Sequence, residues 1–413
     1  METHTVVAFE PVAVGLAWSS CIAPPVGRVF SGSAPVGPMK RTGPLALSVP
    51  LRALGEEPTM ITMEELLALM VHQRGSDLHV SVGSPPRIRV DGELLPVECD
   101  TLSEEDSRRL VTSILNTDQI ARFDADLELD CSIGLEGFGR FRVNVFHQQG
   151  AAACVLRSIP SVTPDFETLG VPVETAQRIC AMQSGLVLVT GATGSGKSTT
   201  LAAMIDHINQ TRQAHIVTIE DPVEFTHVHK HCLVNQREVG GDTHSFKSAL
   251  RSVLRQDPDV VLVGELRDHE TIEAALTLAE TGHLTFATLH TSDAVQTINR
   301  IIDVFPSHQQ AQVRTMLSFS LQAVFSQKLL KSASGTGRHM AAEILLANSG
   351  VRAQIRDGKA HQIYSAIQTG GRIGMCTMAQ SLAALVQSGK IQMADAEVAI
   401  GDPSELHSAV KAA

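Results

Sequence analysis

The chain has 413 residues, of which 43% are hydrophobic, so it is long enough for two or three domains with sizeable cores. A formal net charge of −11 argues against a broad nucleic-acid-binding surface, and an aromatic content of 4% argues against stacking platforms for single strands. No apolar run reaches membrane-spanning length, and no secretory signal is expected near the amino terminus.

The cysteine pattern indicates reduced thiols rather than a metal site. None of the seven cysteines lies at C-x-x-C spacing from another, so a structural zinc site is not expected. Scattered single cysteines are typical of cytosolic proteins. We therefore expect a cytoplasmic protein.

Residues 1–58 are rich in Pro, Gly, Ser, Ala and Val and show no clear hydrophobic period. We interpret them as a disordered tail or as translated sequence upstream of the true start. A helix is predicted directly after them, because Thr62 is a suitable N-cap, Glu65 follows three residues later, and apolar residues come next. Met60 or Met63 would therefore be a sensible start.

Residues 60–165 are expected to form a small α+β domain. Alternating polar and apolar residues predict strands, and Asp91-Gly92 between two of them indicates a hairpin. An amphipathic helix is predicted from Ser103 to Leu115. The predicted strands cover residues 77–82, 87–90, 127–133 and 139–146, and prolines at 160 and 164 mark a linker.

Residues 170–413 are expected to form a second domain of the α/β class. Short apolar segments alternate with longer helical patterns, which is typical of a doubly wound, mostly parallel sheet. Ligands of such sheets bind at the carboxyl ends of the strands. The predicted strands are 186–190, 216–219, 260–263 and 285–289, and the part from about 340 to 413 is expected to be mainly helical.

A phosphate-binding loop follows the first of these strands. Residues 191–198 read G-x-x-x-x-G-K-S, with an apolar strand before them and a helix after them, which is the context that this motif requires. Backbone N–H groups would face the phosphates, Lys197 would reach the β- and γ-phosphates, and Ser198 would hold Mg²⁺. The predicted nucleotide-binding residues are Gly191, Thr193, Gly194, Ser195, Gly196, Lys197, Ser198 and Thr199.

Two further strands end in carboxylates. Glu265 closes an apolar run, so it is expected to polarise the attacking water, while Glu220 and Glu224 are alternative bases. Asp221 joins Ser198 as a candidate ligand of Mg²⁺, because clustered carboxylates are costly unless solvated or paired with a cation. The alternatives are a buried strand with an incidental acid and a solvated acidic turn.

Two histidines flank the last predicted strand. His290 follows its carboxyl end and is expected to lie near the γ-phosphate, where an imidazole can sense or donate to it. His283 precedes the strand and is predicted to have a related role. For each histidine, a structural role is the alternative.

Taken together and in this order, the four segments resemble the Walker A, Asp, Walker B and His boxes of the type II and type IV secretion ATPases, a RecA-like family. Segments such as Gly75–His79, Pro86–Gly92 and Asn235–Gly240 are similar to the pilus-retraction, or twitching-motility, branch. The resemblance implies a PAS-like N-terminal domain followed by a RecA-like ATPase domain. Near the end, Val351–Asp357 resembles that branch's retraction motif in degenerate form, and Arg352 and Arg356 would share a helix face.

The resemblance also implies ATP and Mg²⁺ as ligands and a ring of six identical subunits. The ring would act at the cytoplasmic face of the inner membrane on a pilus platform protein, reaching the membrane only through partners. Basic residues from a neighbouring subunit would complete the site, and Arg140, Arg142 and Arg157 are the candidates, with surface salt bridges as the alternative. Arg267 is expected at an interface.

Other functions remain open at this stage. A pilus-assembly or type II secretion ATPase would share the four boxes, although many of these proteins carry a four-cysteine zinc module. A DNA translocase would share the RecA-like core, but the acidic charge opposes it. A non-catalytic ring subunit is the third alternative, which the intact Lys197, Glu265 and His290 oppose.

Overall fold

A computed structural model describes residues 60–90, 92–135, 137–160 and 162–412 of the chain. The interpretation of residues 1–58 as a disordered or non-native extension lies outside the described residues. Among the helices in these ranges, none combines the length and the apolar character needed to cross a bilayer.

An N-terminal α+β region contains three helices and one antiparallel sheet. Its elements are α1 (Met63–His72), β1 (Asp77–Val80), β2 (Arg87–Val90), β3 (Glu93–Pro96), α2 (Glu104–Thr112), α3 (Thr117–Asp126), β4 (Glu128–Leu135), β5 (Gly139–Gln148) and β6 (Ala151–Ile159). The strand order is β3-β2-β1-β6-β5-β4. The sequence predicted α1, α2, β1, β2, β4 and β5 and indicated the β2–β3 hairpin, but it missed α3 and β6.

Local sequence explains where the first helices begin. Thr62 and Glu65 form a reciprocal capping box at the start of α1, and Ser103 and Asp106 form another at the start of α2. Each box satisfies two backbone N–H groups that lack a partner within the helix. The buried faces of α1 and α2 then pack with the apolar face of the sheet around Phe141.

The α/β domain is built on a seven-stranded sheet in the order β13-β12-β7-β11-β10-β8-β9. Its first elements are α4 (Phe166–Leu169), α5 (Val173–Cys180), β7 (Gly185–Thr190), α6 (Lys197–Thr211), β8 (His215–Glu220), β9 (Leu233–Glu238), α7 (Phe246–Val253), β10 (Val260–Val263), α8 (His269–Glu280), β11 (Leu284–Leu289) and α9 (Ala294–Asp303). Every neighbouring pair from β12 to β9 is parallel. The four strands predicted for this sheet are all present.

The last part of the chain begins with a helix and a β-hairpin. Its elements are α10 (Gln310–Ser320), β12 (Leu321–Lys331), β13 (Arg338–Leu346), α11 (Ser349–Arg356), α12 (Ile363–Thr369), α13 (Met378–Gln387), α14 (Met393–Ile400) and α15 (Pro403–Ala412). The expectation of a helical part from about 340 was wrong at its start, because that position lies inside β13. Most of β12 and β13 is buried, and a buried strand lacks the alternation that distinguishes it from a buried helix.

The parallel sheet determines where a ligand can bind. Strands β7 and β11 are buried along their whole length, so their side chains serve the core. The carboxyl ends of β7, β8, β10 and β11 lie at one edge of the sheet, since these strands run in the same direction. Each of the predicted boxes contributes residues at or just after these ends.

Candidate active site

The loop between β7 and α6 has the backbone shape of a phosphate cradle. Gly191 has φ 141° and Gly196 has φ 88°, and Gly196 is the N-cap of α6. A Cβ atom at Gly196 would lie 3.3 Å from Gln327 Nε2 and 3.4 Å from Leu329 Cδ1, so β12 closes this side of the loop. The backbone angle of Gly196 favours glycine, and a Cβ atom there would make a tight contact with side chains of β12.

Two polar groups of the loop, the Lys197 ammonium and the Ser195 hydroxyl, are candidates for contact with a bound anion. The Lys197 ammonium donates to the Gly191 carbonyl at 2.9 Å and to the Ala192 carbonyl at 3.1 Å, and burial lowers its pKa. The charges of Glu265 and Glu224 act in the opposite direction on that pKa. The hydroxyl of Ser195 is buried and has no hydrogen-bond partner within the described ranges. A bound phosphate would lie within a loop whose N–H groups and lysine suit it.

Glu220, at the carboxyl end of β8, is a half-buried carboxylate. Burial raises its pKa, and hydrogen bonds from Thr218, Glu224 and Gln236 oppose the increase. The Thr218 hydroxyl donates to Glu220 at 2.7 Å. A carboxylate with a raised pKa next to a phosphate loop is a candidate acid or base.

Glu265 lies two residues beyond β10, between a cation and a histidine. Arg267 Nη2 is 3.0 Å from Glu265 Oε2, and His290 Nε2 is 3.1 Å from Glu265 Oε1. The contact with Glu265 raises the pKa of Arg267. His290 thus lies beside the carboxylate that the sequence assigned to water activation, and its proximity to the γ-phosphate stays a prediction.

Lys197, Glu220, Glu265 and Arg267 line one cleft of about 400 Å³, a volume in the range of small-molecule sites. The cleft is lined by Thr193, Gly194, Gly196, Lys197, Ser198, Thr199, Glu220, Asp221, Glu224, Glu265 and Arg267, among others. The structure therefore brings together the phosphate loop and all four predicted carboxylates.

The side chains of the cleft suit a Mg²⁺ ion that takes most of its ligands from the nucleotide. Ser198 and Asp221 both line the cleft, as expected for candidate ligands. No group of three or more His, Cys, Asp or Glu side chains forms a metal cage in the parts of the chain that are described. Mg²⁺ commonly needs only one or two protein ligands when phosphates supply the others, so the residues present fit this ion.

The prediction for His283 is not met within the subunit. His283 precedes β11, whereas the phosphate loop follows β7, and these two strands are parallel with Leu284 opposite Gly185. A six-residue strand is about 20 Å long, so His283 lies at the opposite edge of the sheet. Its Nδ1 is 3.0 Å from the Leu278 carbonyl, which is a structural contact.

The three candidate arginines of the N-terminal sheet differ in their exposure and in their ion-pair partners. Arg140 donates to Glu238 in β9 of the same chain at 3.1 Å, so it is occupied by a contact between domains rather than by the cleft. Arg157 is paired with Asp77 at 2.7 Å while 70% of its side chain is exposed. Arg142 is exposed and lies opposite Arg157 across the β5–β6 pair. None of the three lines the cleft of its own subunit.

Sequence reasoning missed three residues around the phosphate loop. Arg267 was expected at an interface, yet it lines the cleft and pairs with Glu265. Gln327 donates to the Ser195 carbonyl at 2.8 Å, and Arg338 lines the cleft next to Leu329. Only Arg267 had a local signal, its position two residues after Glu265, since β12 and β13 were not predicted.

Comparison with known proteins places the chain in a family. The profile described as "Type II/IV secretion system protein" matches residues 52–397. "Type IV pilus retractation ATPase PilT" of Pseudomonas aeruginosa is 52% identical over 332 residues, which cover 80% of this chain and 96% of that protein. "Twitching motility protein" of Neisseria gonorrhoeae is 52% identical over 306 residues, which cover 74% of this chain and 82% of that protein.

A solved structure agrees with these sequence matches. "Crystal Structure of the Pilus Retraction Motor PilT and Bound ADP" superposes with a TM-score of 0.79 at 47% identity, and the match covers 84% of this chain and 99% of the other. That protein binds ADP, and the present chain has a phosphate loop in a cleft of suitable size. The chain belongs to the type II/IV secretion system protein family.

Proposed function

We infer that the protein is an ATPase motor that uses ATP hydrolysis to drive the retraction of type IV pili. The observation that carries this inference is the placement of Lys197 and Glu265 in one cleft, with His290 in contact with Glu265, in a chain 52% identical to a pilus-retraction ATPase. Identity at this level extends over 96% of that relative, so it includes both domains.

The residues of the cleft divide into binding and catalytic groups. Backbone N–H groups of residues 191–199 and the Lys197 ammonium hold the phosphates, and Lys197 offsets the charge that develops on them. Glu265 accepts a proton from the attacking water, with Glu220 and Glu224 as alternative bases. The contacts with Arg267 and His290 hold the Glu265 carboxylate in place, and each of its oxygens keeps a lone pair for the water.

Mg²⁺ would be held by Ser198 and Asp221 together with phosphate oxygens. When bound, it neutralises charge on the phosphates. The hydroxyl of Ser198 is placed at the start of α6, and Asp221 follows β8 directly. The protein's own task is to position these two side chains on the same side of the cleft.

Neighbouring subunits are proposed to complete the site. Arg142 is the best candidate for a contact with a neighbour's nucleotide, since its side chain is exposed, and Arg157 lies beside it. A ring of six identical subunits would bring such a side chain to each cleft. The partners would be an inner-membrane platform protein and the pilus machinery, with the ring at the cytoplasmic face. The N-terminal region is proposed to be PAS-like.

A second candidate is an ATPase of pilus assembly or of type II secretion. The family as a whole includes such proteins by its name, so fold and cleft do not separate them. The pilus-retraction relative is favoured by the 52% identity over nearly its whole length. A DNA translocase is disfavoured by the net charge of −11.

The test is Mg²⁺-dependent ATP hydrolysis by the purified protein, compared with Lys197→Ala. We expect the variant to lose about 10²–10³-fold in turnover, because it lacks a group that offsets transition-state charge. Lys230→Ala is a matched control, since Lys230 forms an ion pair with Asp206 outside the cleft. Wild-type turnover by Lys197→Ala would refute the site, and steep stimulation by DNA at low salt would favour a translocase.

A further inference from the structure

A single carboxylate connects the N-terminal sheet to the loop that follows Glu220. Glu238, the last residue of β9, has only 7% of its side chain exposed. Its Oε1 accepts from the Ser132 hydroxyl of β4 at 2.6 Å, and its Oε2 accepts from Arg140 of β5 at 3.1 Å. The same Oε2 accepts from the backbone N–H of Val223 at 3.1 Å.

The position of Val223 gives this contact its importance. Val223 lies between Asp221 and Glu224, both of which line the nucleotide cleft. The backbone N–H of Glu224 in turn donates to Glu220 at 3.4 Å. Holding the N–H of Val223 therefore helps to fix the segment that carries the acidic side chains.

A second contact holds the same segment from the N-terminal side. The N–H of Thr226 donates to the carbonyl of Pro160 at 3.3 Å, and Pro160 lies between β6 and the α/β domain. The acidic segment is thus attached at one end to β4 and β5 through Glu238 and at the other end to the interdomain linker. A change in the position of the N-terminal region would alter both attachments.

The charge of Glu238 makes the first attachment dependent on Arg140. A carboxylate buried to this degree is costly unless it is paired and hydrogen-bonded. Arg140 is the cation within salt-bridge distance, and it also donates to Ser132 at 2.6 Å, so the three side chains form one closed network. Loss of the guanidinium would leave a buried charge next to the acidic segment.

We propose that Arg140 and Glu238 are positioning residues, which transmit the placement of the N-terminal sheet to the segment 221–226 and so set the rate of ATP hydrolysis. Arg140 acts through Glu238 and Val223 rather than by touching the nucleotide. This inference rests on the proposed ATPase function, and its test includes a measurement that does not need hydrolysis.

The variants are Arg140→Gln, Glu238→Gln and the double variant. Glu238→Gln replaces one carboxylate oxygen by an NH₂ group. The side chain then no longer offers one accepting oxygen to Ser132 and another to Val223. We expect each single variant to lower kcat about tenfold while KM for ATP changes less than twofold, because the nucleotide contacts remain. The double variant should lose no more than the worse single variant, since both changes disrupt one network.

Hydrogen exchange of the segment 221–226 without nucleotide provides the independent measurement. We expect faster exchange in both variants than in the wild type. Glu238 loses its cation in Arg140→Gln and one accepting oxygen in Glu238→Gln, and either loss weakens its contact with the Val223 N–H. Arg108→Gln is the matched control: Arg108 pairs with Asp124 on the exposed side of the same region, and neither the exchange nor kcat should change. Kinetics are measured below the unfolding temperature of every variant.

Each alternative outcome is distinct. A raised KM with unchanged kcat in Arg140→Gln would show that Arg140 binds nucleotide, and it would overturn the proposal. Unchanged exchange of the segment 221–226 in Glu238→Gln would overturn it as well, even if turnover fell. Absence of hydrolysis by the wild type would instead refute the proposed function and leave the exchange measurement to decide on the network.

Discussion

At the scale of single residues, the main question is which carboxylate acts as the base. Glu265 has two partners, Arg267 at 3.0 Å and His290 at 3.1 Å. Glu220 is half-buried with a raised pKa, and Glu224 is exposed in the cleft. All three carboxylates lie near the phosphate loop, so proximity does not identify the base. The difference must come from the surroundings of each carboxylate.

We expect Glu265→Gln to bind ATP while losing most hydrolysis, about 10²–10⁴-fold, because an amide keeps the shape but cannot take a proton. Glu220→Gln should lose less, since the Thr218 hydroxyl can still donate to the amide oxygen. Glu224→Gln is the exposed comparison. Turnover and ATP affinity of the three variants are measured together; normal turnover by Glu265→Gln would move the role to whichever variant is inactive.

Glu343, in β13, predicts a pH dependence of stability. Burial raises its pKa from 4.5 to about 7; the charges of Asp293 and Glu405 also raise it, and the N–H groups of Ala294 and Met378 oppose this. The folded protein therefore binds a proton more tightly than the unfolded chain. The stabilisation is complete below the unfolded value of 4.5 and is lost as the pH rises through about 7.

Glu343→Gln should remove this dependence, because the amide does not titrate. Between pH 5 and pH 8 the free energy of unfolding of the wild type should fall relative to that of the variant by up to about 3 kcal/mol. Urea unfolding of both proteins at the two pH values provides the measurement. Asp395→Asn, on the first turn of α14, is a suitable control. Parallel pH profiles of wild type and Glu343→Gln would contradict this assignment.

At the scale of elements, the sequence was informative wherever local signals agree. The strand, glycine loop and helix from 185 to 211 were found because the motif and its flanking residues require each other. Capping residues located the start of α1 and α2 in the same way. The parallel direction of most strands also followed, since alternation with helices predicts a parallel sheet.

The elements that were missed depend on distant contacts. Strand β12 packs beside β7, with Ser326 hydrogen-bonded to Thr190 at 2.8 Å, and this buried setting removes the polar alternation that marks an exposed strand. Gln327 and Arg338 therefore could not be assigned to the cleft. His283 was misplaced for a related reason: proximity in the sequence to His290 does not indicate which edge of the sheet a residue occupies.

Helix α11 separates the two arginines that the sequence expected to form one basic face. Arg352 donates to the carbonyls of Ser318 and Phe319 at 2.8 and 2.6 Å and to Gln322 at 2.9 Å, so it satisfies the carboxyl end of α10. The Arg356 side chain is 47% exposed. Its Nε is 3.9 Å from Oδ1 of the adjacent Asp357, which is a long ion-pair contact. The first arginine is therefore structural, and the second is available to a partner.

We expect Arg352→Ala to lower the free energy of unfolding by about 1–3 kcal/mol, because the three acceptors lose a charged donor. Arg356→Ala should change stability by less than about 0.5 kcal/mol and leave ATP hydrolysis intact, yet impair pilus retraction in cells. Urea unfolding, ATP turnover and twitching assays are compared for both variants. Equal loss of stability in the two would contradict the division of roles.

At the scale of the whole molecule, the cations that line the cleft divide into paired and unpaired side chains. Lys197 is the phosphate-loop lysine and Arg267 is paired with Glu265, while the exposed Arg338 of β13 forms no salt bridge with any described residue. The exposed Arg142 lies on the other domain. A ring in which one subunit donates Arg142 to the next would add positive charge at the γ-phosphate.

This arrangement predicts both assembly and complementation. Light scattering should detect a hexamer that ATP and Mg²⁺ tighten, because a bridging nucleotide stabilises the interface. Lys197→Ala and Arg142→Ala should each be nearly inactive alone, yet an equal mixture should recover activity. In that mixture an intact phosphate loop lies beside an intact Arg142 in about one interface of four, by random assortment in a closed ring. If Arg142 acts within its own subunit, no mixed ring contains a complete site and the mixture stays inactive. A preparation that remains monomeric with ATP and Mg²⁺ would contradict the ring itself.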